Sequence, residues 1–236
     1  MKTLADLRTK VLAELAGALE APGMYACCPP DQASLYVHRL GLLCFLDGRD
    51  EDLATERQRL IRLGVHYPPN DVGGVNEALR LILPDIDEFT CEAASVYAEV
   101  AWRLGYLALE RALLPEQYAQ LVTFIGDGWD RRNWTPAQLI ALFGPPSFVV
   151  GSNYVCCYAT DDRTQPWVCF DLPWRTGDWI RSVRHSVHSL DEGLRLTPHG
   201  RKQSRRAEAQ PAFELGSEWR RAHLHVVRES EDQGDE

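Results

Sequence analysis

The sequence lacks the features of an exported or membrane-spanning protein. No apolar run reaches the roughly 18 residues that a transmembrane helix needs. The first residues place Asp6, Arg8 and Lys10 where a signal peptide carries its apolar block. The seven cysteines are an odd number without Cys-x-x-C spacing, which argues against a disulfide framework. Together these absences predict a cytoplasmic protein with no membrane contact.

Sequence motifs of common enzyme classes are also missing. The chain has no phosphate-binding loop of the P-loop type, no Gly-x-Ser-x-Gly and no His-Glu-x-x-His. Its formal net charge of −9 disfavours nonspecific attraction to nucleic acid or to an anionic membrane. The sequence therefore favours a protein that is not an enzyme and that carries no cofactor.

Apolar residues in the first half recur at helical spacing. The first stripe consists of Leu4, Leu7, Val11, Leu15 and Leu19. Further amphipathic segments follow Asp31, cover about 50–63 and 72–83, and begin near Thr90 and Pro115. This half therefore predicts successive helices, with Thr90 as the N-cap of the longest one.

The segment W-T-P-A-Q-L-I-A-L-F-G carries several helix-start signals at once. Thr135 is a suitable N-cap, Pro136 suits the first helical position, and Gln138 completes a capping box. Gly144 is suited to end this helix. The preceding stretch at 126–133 is rich in Gly, Asp, Arg and Asn with little to bury, and predicts a boundary between two portions.

After Gly144 the pattern changes from helical to extended. Strands are expected at 148–150, 154–159, 167–172, 179–187 and 219–227. The fold class is therefore α+β, with a helical portion at 1–130 followed by a sheet portion at 131–228. In the second portion, one or more helices pack on an antiparallel sheet of four to five strands. A mobile basic loop is expected at 197–211, and an acidic, disordered tail at 229–236.

The segment T-P-A-Q-L-I-A-L-F-G-P-P-S-F-V-V-G-S-N-Y-V-C-C-Y combines a helix, a Gly-x-Pro turn and strands. This pattern resembles the small bacterial outer-membrane assembly lipoproteins of the SmpA/OmlA type over about 40 residues. The resemblance implies an α+β sheet that is used for binding proteins. The acidic, aromatic-rich character of the whole chain also resembles bacterial immunity proteins that neutralise toxins, which implies a protein partner.

Aromatic and arginine side chains provide the first candidate site. Trp174 and Trp179 flank one segment, and the expected last strand places Arg221, His223 and His225 on one face. Trp and Arg are enriched among residues that dominate protein contacts. These residues are therefore the predicted contact surface of an immunity-type or regulatory protein that acts by binding another protein.

Histidines provide an alternative site. On a strand, His223 and His225 would lie about 7 Å apart on one face, which is compatible with a shared metal. His185 or His199 would supply a third ligand. This alternative predicts a divalent metal such as zinc and a hydrolase-like enzyme.

A basic stretch provides a third hypothesis. Arg201, Lys202, Arg205 and Arg206 would contact the phosphates of a nucleic acid. The acidity of the whole chain opposes such binding, so the sequence favours a protein partner over this possibility.

Overall fold

The computed structural model describes residues 3–20, 32–63, 75, 78–79, 83, 86–150, 155–172 and 179–209. The helices before the sheet are α1 (Leu4–Glu20), α2 (Gln32–Asp47), α3 (Asp50–Leu63), α4 (Ile86–Arg103), α5 (Pro115–Gly126), a 3-10 turn (Trp129–Arg131) and α6 (Pro136–Phe143). The later elements are β1 (Phe148–Val150), β2 (Val155–Tyr158), β3 (Val168–Asp171), β4 (Ser182–Arg184), α7 (Leu190–Gly193), β5 (Leu194–Leu196) and α8 (Pro198–Ala209). The predicted α+β class is confirmed.

The described strands form one antiparallel sheet in the order β1-β2-β3-β4-β5. Val150 at the end of β1 pairs with Val155 at the start of β2. Cys169 of β3 lies between Cys157 of β2 and Arg184 of β4. Short connections suffice between antiparallel neighbours, so strand order follows chain order. This register places a charged side chain in the middle of the sheet.

Helices cover both faces of the sheet. One face carries Val155, Cys157 and Cys169 in a buried cluster with residues of α4, and α2 packs on α4 from the other side. The opposite face carries Tyr158 and Phe170 in a second cluster with α5, the 3-10 turn and α6. Successive side chains of a strand point to opposite faces, which is why neighbours such as Cys157 and Tyr158 enter different clusters.

The start of α6 confirms the predicted capping box. The Thr135 hydroxyl accepts a hydrogen bond from the Gln138 amide at 3.2 Å, and the Gln138 side chain accepts one from the Thr135 amide at 3.0 Å. Gly144 ends the helix at a φ of 78°, in the left-handed region that favours glycine. Local chemistry therefore fixes both ends of this helix.

The same chemistry starts α8, where the sequence predicted a loop. The Thr197 hydroxyl accepts from the Gly200 amide at 3.1 Å, and Pro198 occupies the first helical position. The loop predicted at 197–211 is therefore wrong over the described residues to Ala209, because Thr-Pro here begins a helix as it does at Thr135.

Three further expectations need correction or fall outside the described residues. Helix α4 begins at Ile86, so Thr90 lies inside it and is not its N-cap. The predicted boundary stretch has much to bury, because Trp129 is 1% exposed and stacks on Trp134 at 5.5 Å between ring centroids. The strand predicted at 219–227 lies outside the described residues, and the fifth described strand is β5.

The division of the chain near residue 130 stays a prediction. The two buried clusters combine residues from both sides of that position, since α4 and α5 each pack on a face of the sheet. Of the helices described, none is long and apolar enough to cross a membrane.

A buried ionic network joins α3, α4 and β4. Arg184 contacts Glu92 at 3.2 Å and Glu99 at 3.6 Å, and all three side chains are at most 1% exposed. Glu99 also pairs with Arg59 and Arg103, each at 3.3 Å. Buried charges need such partners, because an isolated charge in the interior is strongly destabilising. The network therefore ties the helical half of the chain to the sheet.

Candidate functional site

An open apolar groove lies between α5, the turn after β2 and the segment after β4. It encloses about 830 Å³, within the range of ligand sites. We call it the apolar groove. It is lined by Ala112, Leu113, Leu114, Pro115, Tyr118, Ala119, Val122, Thr123, Thr160, Asp161, Asp162, Thr164, Gln165, Pro166, His185 and Val187.

Two large apolar side chains of the groove face solvent. Leu114 is 63% exposed and Val187 is 58% exposed. Leu113, next to Leu114, is buried in the cluster below α5, so the backbone turn into this helix presents one leucine to the core and one to solvent. Apolar surface that is left exposed at a concave site is typical of a surface that binds a partner.

Tyr118 and His185 form a polar pair in the groove. Pro115 starts α5, and Tyr118 follows in its first turn, with its ring buried toward the sheet. The Tyr118 hydroxyl donates to the Pro166 carbonyl and lies 3.1 Å from Nε2 of His185. The two rings meet edge to face at 6.2 Å. The pair fixes α5 against the turn before β3 and the end of β4.

The hydrogen bonds of Tyr118 determine the state of His185. The tyrosine proton is directed to Pro166, so the tyrosine oxygen accepts from Nε2–H of His185, which leaves Nδ1 as an acceptor. Burial lowers the pKa of His185, and the positive charge of Arg184 lowers it further, whereas Glu99 opposes the shift. The imidazole is therefore neutral at pH 7.

Two carboxylates stand on the turn that forms one rim of the groove. Asp161 and Asp162 are both exposed. The Asp162 carboxylate accepts from the Thr164 amide at 2.9 Å and from the Thr164 hydroxyl at 2.7 Å, so its position is fixed by the turn. These hydrogen bonds lower the pKa of Asp162. The Asp162 carboxylate is therefore ionised at neutral pH.

Of the predicted metal ligands, the structure describes only His185 and His199, the two alternatives for the third ligand, so the metal site stays a prediction. His185 directly follows β4. His199 lies near the other end of this strand, because Thr197, just before the helix that carries His199, donates a hydrogen bond to the carbonyl of Arg181, which directly precedes β4. By strand geometry, the backbone positions of residues 181 and 185 lie roughly 13 Å apart. His223 and His225 lie outside the described residues. Within the described ranges, no group of three or more His, Cys, Asp or Glu residues could hold a metal.

Of the residues in the predicted protein-contact surface, the structure describes Trp179 alone. Trp179 is 39% exposed at the start of the β4 segment, the end of the strand that lies away from the groove. Trp174, Arg221, His223 and His225 lie outside the described residues. A contact role for this set stays a prediction.

The basic stretch predicted to bind nucleic acid lies on α8. Arg201 donates to the Leu196 carbonyl at 2.7 Å and to the Asp130 carbonyl at 2.6 Å, so its guanidinium joins α8 to the 3-10 turn. Lys202 is exposed, and only the helical backbone is described at Arg205 and Arg206. A nucleic-acid role for these residues stays a prediction.

A second, more polar crevice of about 500 Å³ lies beside the end of α4. Arg8 and Arg163 line this crevice, and Arg163 donates to the Arg103 carbonyl at 3.5 Å. Arg49 donates to the next carbonyl, that of Leu104. Arg8 pairs with Asp47 at 3.0 Å. The contacts of Arg49 and Arg163 satisfy carbonyls at the end of α4, and Arg8 forms an ion pair, so all three arginines have a structural role.

Comparisons with protein-family models, curated proteins and solved structures find no match to this chain. The resemblance of the segment after Trp134 to a lipoprotein family therefore stays a hypothesis from sequence. The apolar groove has to be interpreted from its own chemistry.

Sequence reasoning named His185 but missed the other residues of the groove. Its walls come from three segments that are far apart in the chain, near Tyr118, Asp162 and Val187. The one local signal is Asp161-Asp162-Arg163-Thr164-Gln165, which is typical of a turn, and a turn by itself does not indicate a binding site.

Proposed function

We propose that this protein is a non-enzymatic binding module that takes a segment of another protein into the apolar groove. The observation that carries the proposal is a concave site of about 830 Å³ where Leu114 and Val187 remain more than half exposed. Aliphatic side chains of a partner would remove this apolar surface from water, which stabilises a complex by roughly 25 cal/mol per Å² of buried area before the costs of association.

The polar groups of the groove support binding rather than catalysis. The Tyr118 hydroxyl and one nitrogen of His185 are held in internal hydrogen bonds, and Asp162 holds its own turn. A catalytic pair would need a nucleophile beside a base or a metal beside a water. The described part of the groove contains threonine hydroxyls, and the hydrogen bonds found for Thr160 and Thr164 go to Asp162. The arrangement suits a regulatory or immunity-type protein that acts by contact.

The test is a comparison of retained proteins on three versions of the chain. Ala119 lines the groove on exposed α5, so Ala119→Trp fills it with an indole ring. Ala137 is exposed on α6 outside the groove, and Ala137→Trp is the matched control. Each immobilised protein is exposed to lysate of the source cells, and bound proteins are quantified by mass spectrometry.

We expect at least one protein at near-stoichiometric amount on wild type and on Ala137→Trp, reduced about tenfold or more on Ala119→Trp. Circular dichroism checks that both variants are folded. Equal retention by all three proteins would contradict binding through the groove, and so would the absence of any retained protein.

A further inference from the structure

Neither Asp161 nor Asp162, the two carboxylates on the rim of the apolar groove, forms an ion pair within the described part of the chain. The Arg103 guanidinium lies on the same turn, and its positive charge contributes to the lowered pKa of Asp162. Arg103 pairs with Glu99 at 3.3 Å and donates to the Thr164 and Gln165 carbonyls. Two adjacent carboxylates are thus held at the edge of an apolar surface without an ion-pair partner among the described residues.

Three of the polar side chains that line the groove offer acceptors. The two carboxylates only accept hydrogen bonds when ionised, and the neutral His185 offers Nδ1 as an acceptor, since its Nε2–H donates to Tyr118. The Tyr118 proton is directed to Pro166. The groove therefore matches a ligand that brings N–H donors and a positive charge.

An aliphatic surface beside carboxylates fits one kind of side chain especially well. The stem of lysine or arginine packs on apolar groups while its charged head reaches a polar rim. Leu114 and Pro115 supply exposed apolar surface on α5, and Asp161 and Asp162 supply the rim. The net charge of −9 would attract such a basic segment at longer range.

We propose that the apolar groove recognises a partner segment in which a lysine or arginine stands beside aliphatic residues, with the cation bound by Asp161 and Asp162. This inference rests on the proposed function of the groove. It goes further because it commits to the chemistry of the segment and to the residues that select it.

The test uses a displayed library of short random peptides, selected on wild-type protein and counter-selected on the groove-filled Ala119→Trp variant. Selected peptides are synthesised in three forms: with the basic residue, with norleucine in its place, and with glutamate in its place. Affinities are measured by fluorescence anisotropy for wild type, Asp161→Asn, Asp162→Asn and the double variant. Asp127→Asn, at an exposed carboxylate outside the groove, is the matched control.

We expect enrichment of Lys or Arg next to Leu, Ile or Val, with about threefold to fivefold weaker binding after each single substitution. The double variant should lose about tenfold, and the norleucine peptide should bind wild type and the double variant alike. Raising the salt concentration from about 50 mM to about 500 mM should weaken binding of the basic peptide more on wild type than on the double variant, and should not weaken binding of the norleucine peptide. Asp127→Asn should bind as wild type.

The outcomes separate the two proposals. Peptides that need an open groove but show no preference for Lys or Arg would overturn the basic-segment inference and leave the binding function standing. Basic peptides whose affinity is unchanged in the double aspartate variant would also overturn it. Failure to select any peptide that distinguishes wild type from Ala119→Trp would overturn both.

Discussion

Replacing Arg184 by methionine should strongly destabilise the protein. The guanidinium lies in the middle of the sheet and bonds to Glu92, Glu99, the Ser95 hydroxyl at 2.8 Å and the Cys169 sulfur at 3.1 Å. Methionine has a comparable length and an apolar tip, so the variant removes the charge without leaving a large cavity.

The size of the stability loss depends on which partners Glu92 and Glu99 keep when Arg184 is removed. Glu99 keeps Arg59 and Arg103, whereas Glu92 keeps only the Ser95 hydroxyl at 3.3 Å among the described contacts. Removing one partner of a buried ion pair costs about 3–5 kcal/mol, because the other charge is left in the interior. For a chain of this size, such a loss lowers the Tm by about 10 °C or more.

The measurement is urea unfolding followed by tryptophan fluorescence and circular dichroism. Trp102 and Trp167 lie 5.8 Å apart in the buried cluster next to this network, so they report on its integrity. The control is Arg195→Met, at an exposed arginine on the adjacent β5, for which about 1 kcal/mol or less is expected. A loss below about 1 kcal/mol in Arg184→Met, or equal losses in both variants, would refute the reasoning.

The same variant should show a characteristic pH dependence. Burial raises the pKa of Glu92 even in the wild type, while Arg184 and Ser95 oppose the shift. Without Arg184 the pKa rises further, so the folded state binds a proton more tightly than the unfolded chain does. Stability that depends on a raised pKa is present at low pH and is lost as the pH rises through the folded-state pKa. The difference in unfolding free energy between Arg184→Met and wild type should therefore become smaller from pH 7 to pH 5. Adding Glu92→Gln to Arg184→Met should restore part of the lost stability.

Three smaller effects follow from local geometry. Thr135→Ala removes the cap of α6 and should lower the free energy of unfolding in urea by about 1 kcal/mol. Thr123→Ala, at an exposed position of α5, is the control and should change it little. Equal effects of the two substitutions would contradict the role of the cap. Gly144→Ala places a Cβ at a φ of 78° and 2.3 Å from Arg111, and should cost about 1–2 kcal/mol, whereas Gly126→Ala meets no atom within 4 Å and should be neutral or stabilising. Burial raises the pKa of Cys156 to about 12, so its alkylation by iodoacetamide at pH 9 should be at least about 100-fold slower than that of glutathione, as peptide mapping would show. Comparable rates would refute this.

The sequence was most informative where a signal is local. The capping box at Thr135 and the hairpin at 148–158 were predicted and are confirmed, because turn and cap residues act within a few positions of the chain. The bounds of α3 were also predicted from its amphipathic pattern. The wrong loop prediction at 197–211 could have been avoided from the local sequence, because Thr197-Pro198 carries the same helix-start signal as Thr135-Pro136.

The sequence was least informative where charged residues become buried. Arg184 and Glu92 look like surface residues by composition, and only their position across the interface between α4 and β4 makes them partners. Trp129, in a stretch rich in Gly, Asp and Arg, looked like part of a linker but packs between Trp134 and Phe170. Such assignments depend on contacts between residues that are distant in the chain.

The sequence alone determined the α+β class, the helices with clear caps and the central hairpin, because these depend on periodicity and on hydrogen bonds between near neighbours. The tertiary structure alone decided the apolar groove. Its walls come from α5, from the turn after β2 and from the end of β4, and no sequence spacing records that these three segments meet. The same holds for His185, which the sequence could only group with other histidines. Its partner is Tyr118, because packing α5 on the sheet brings the two rings together.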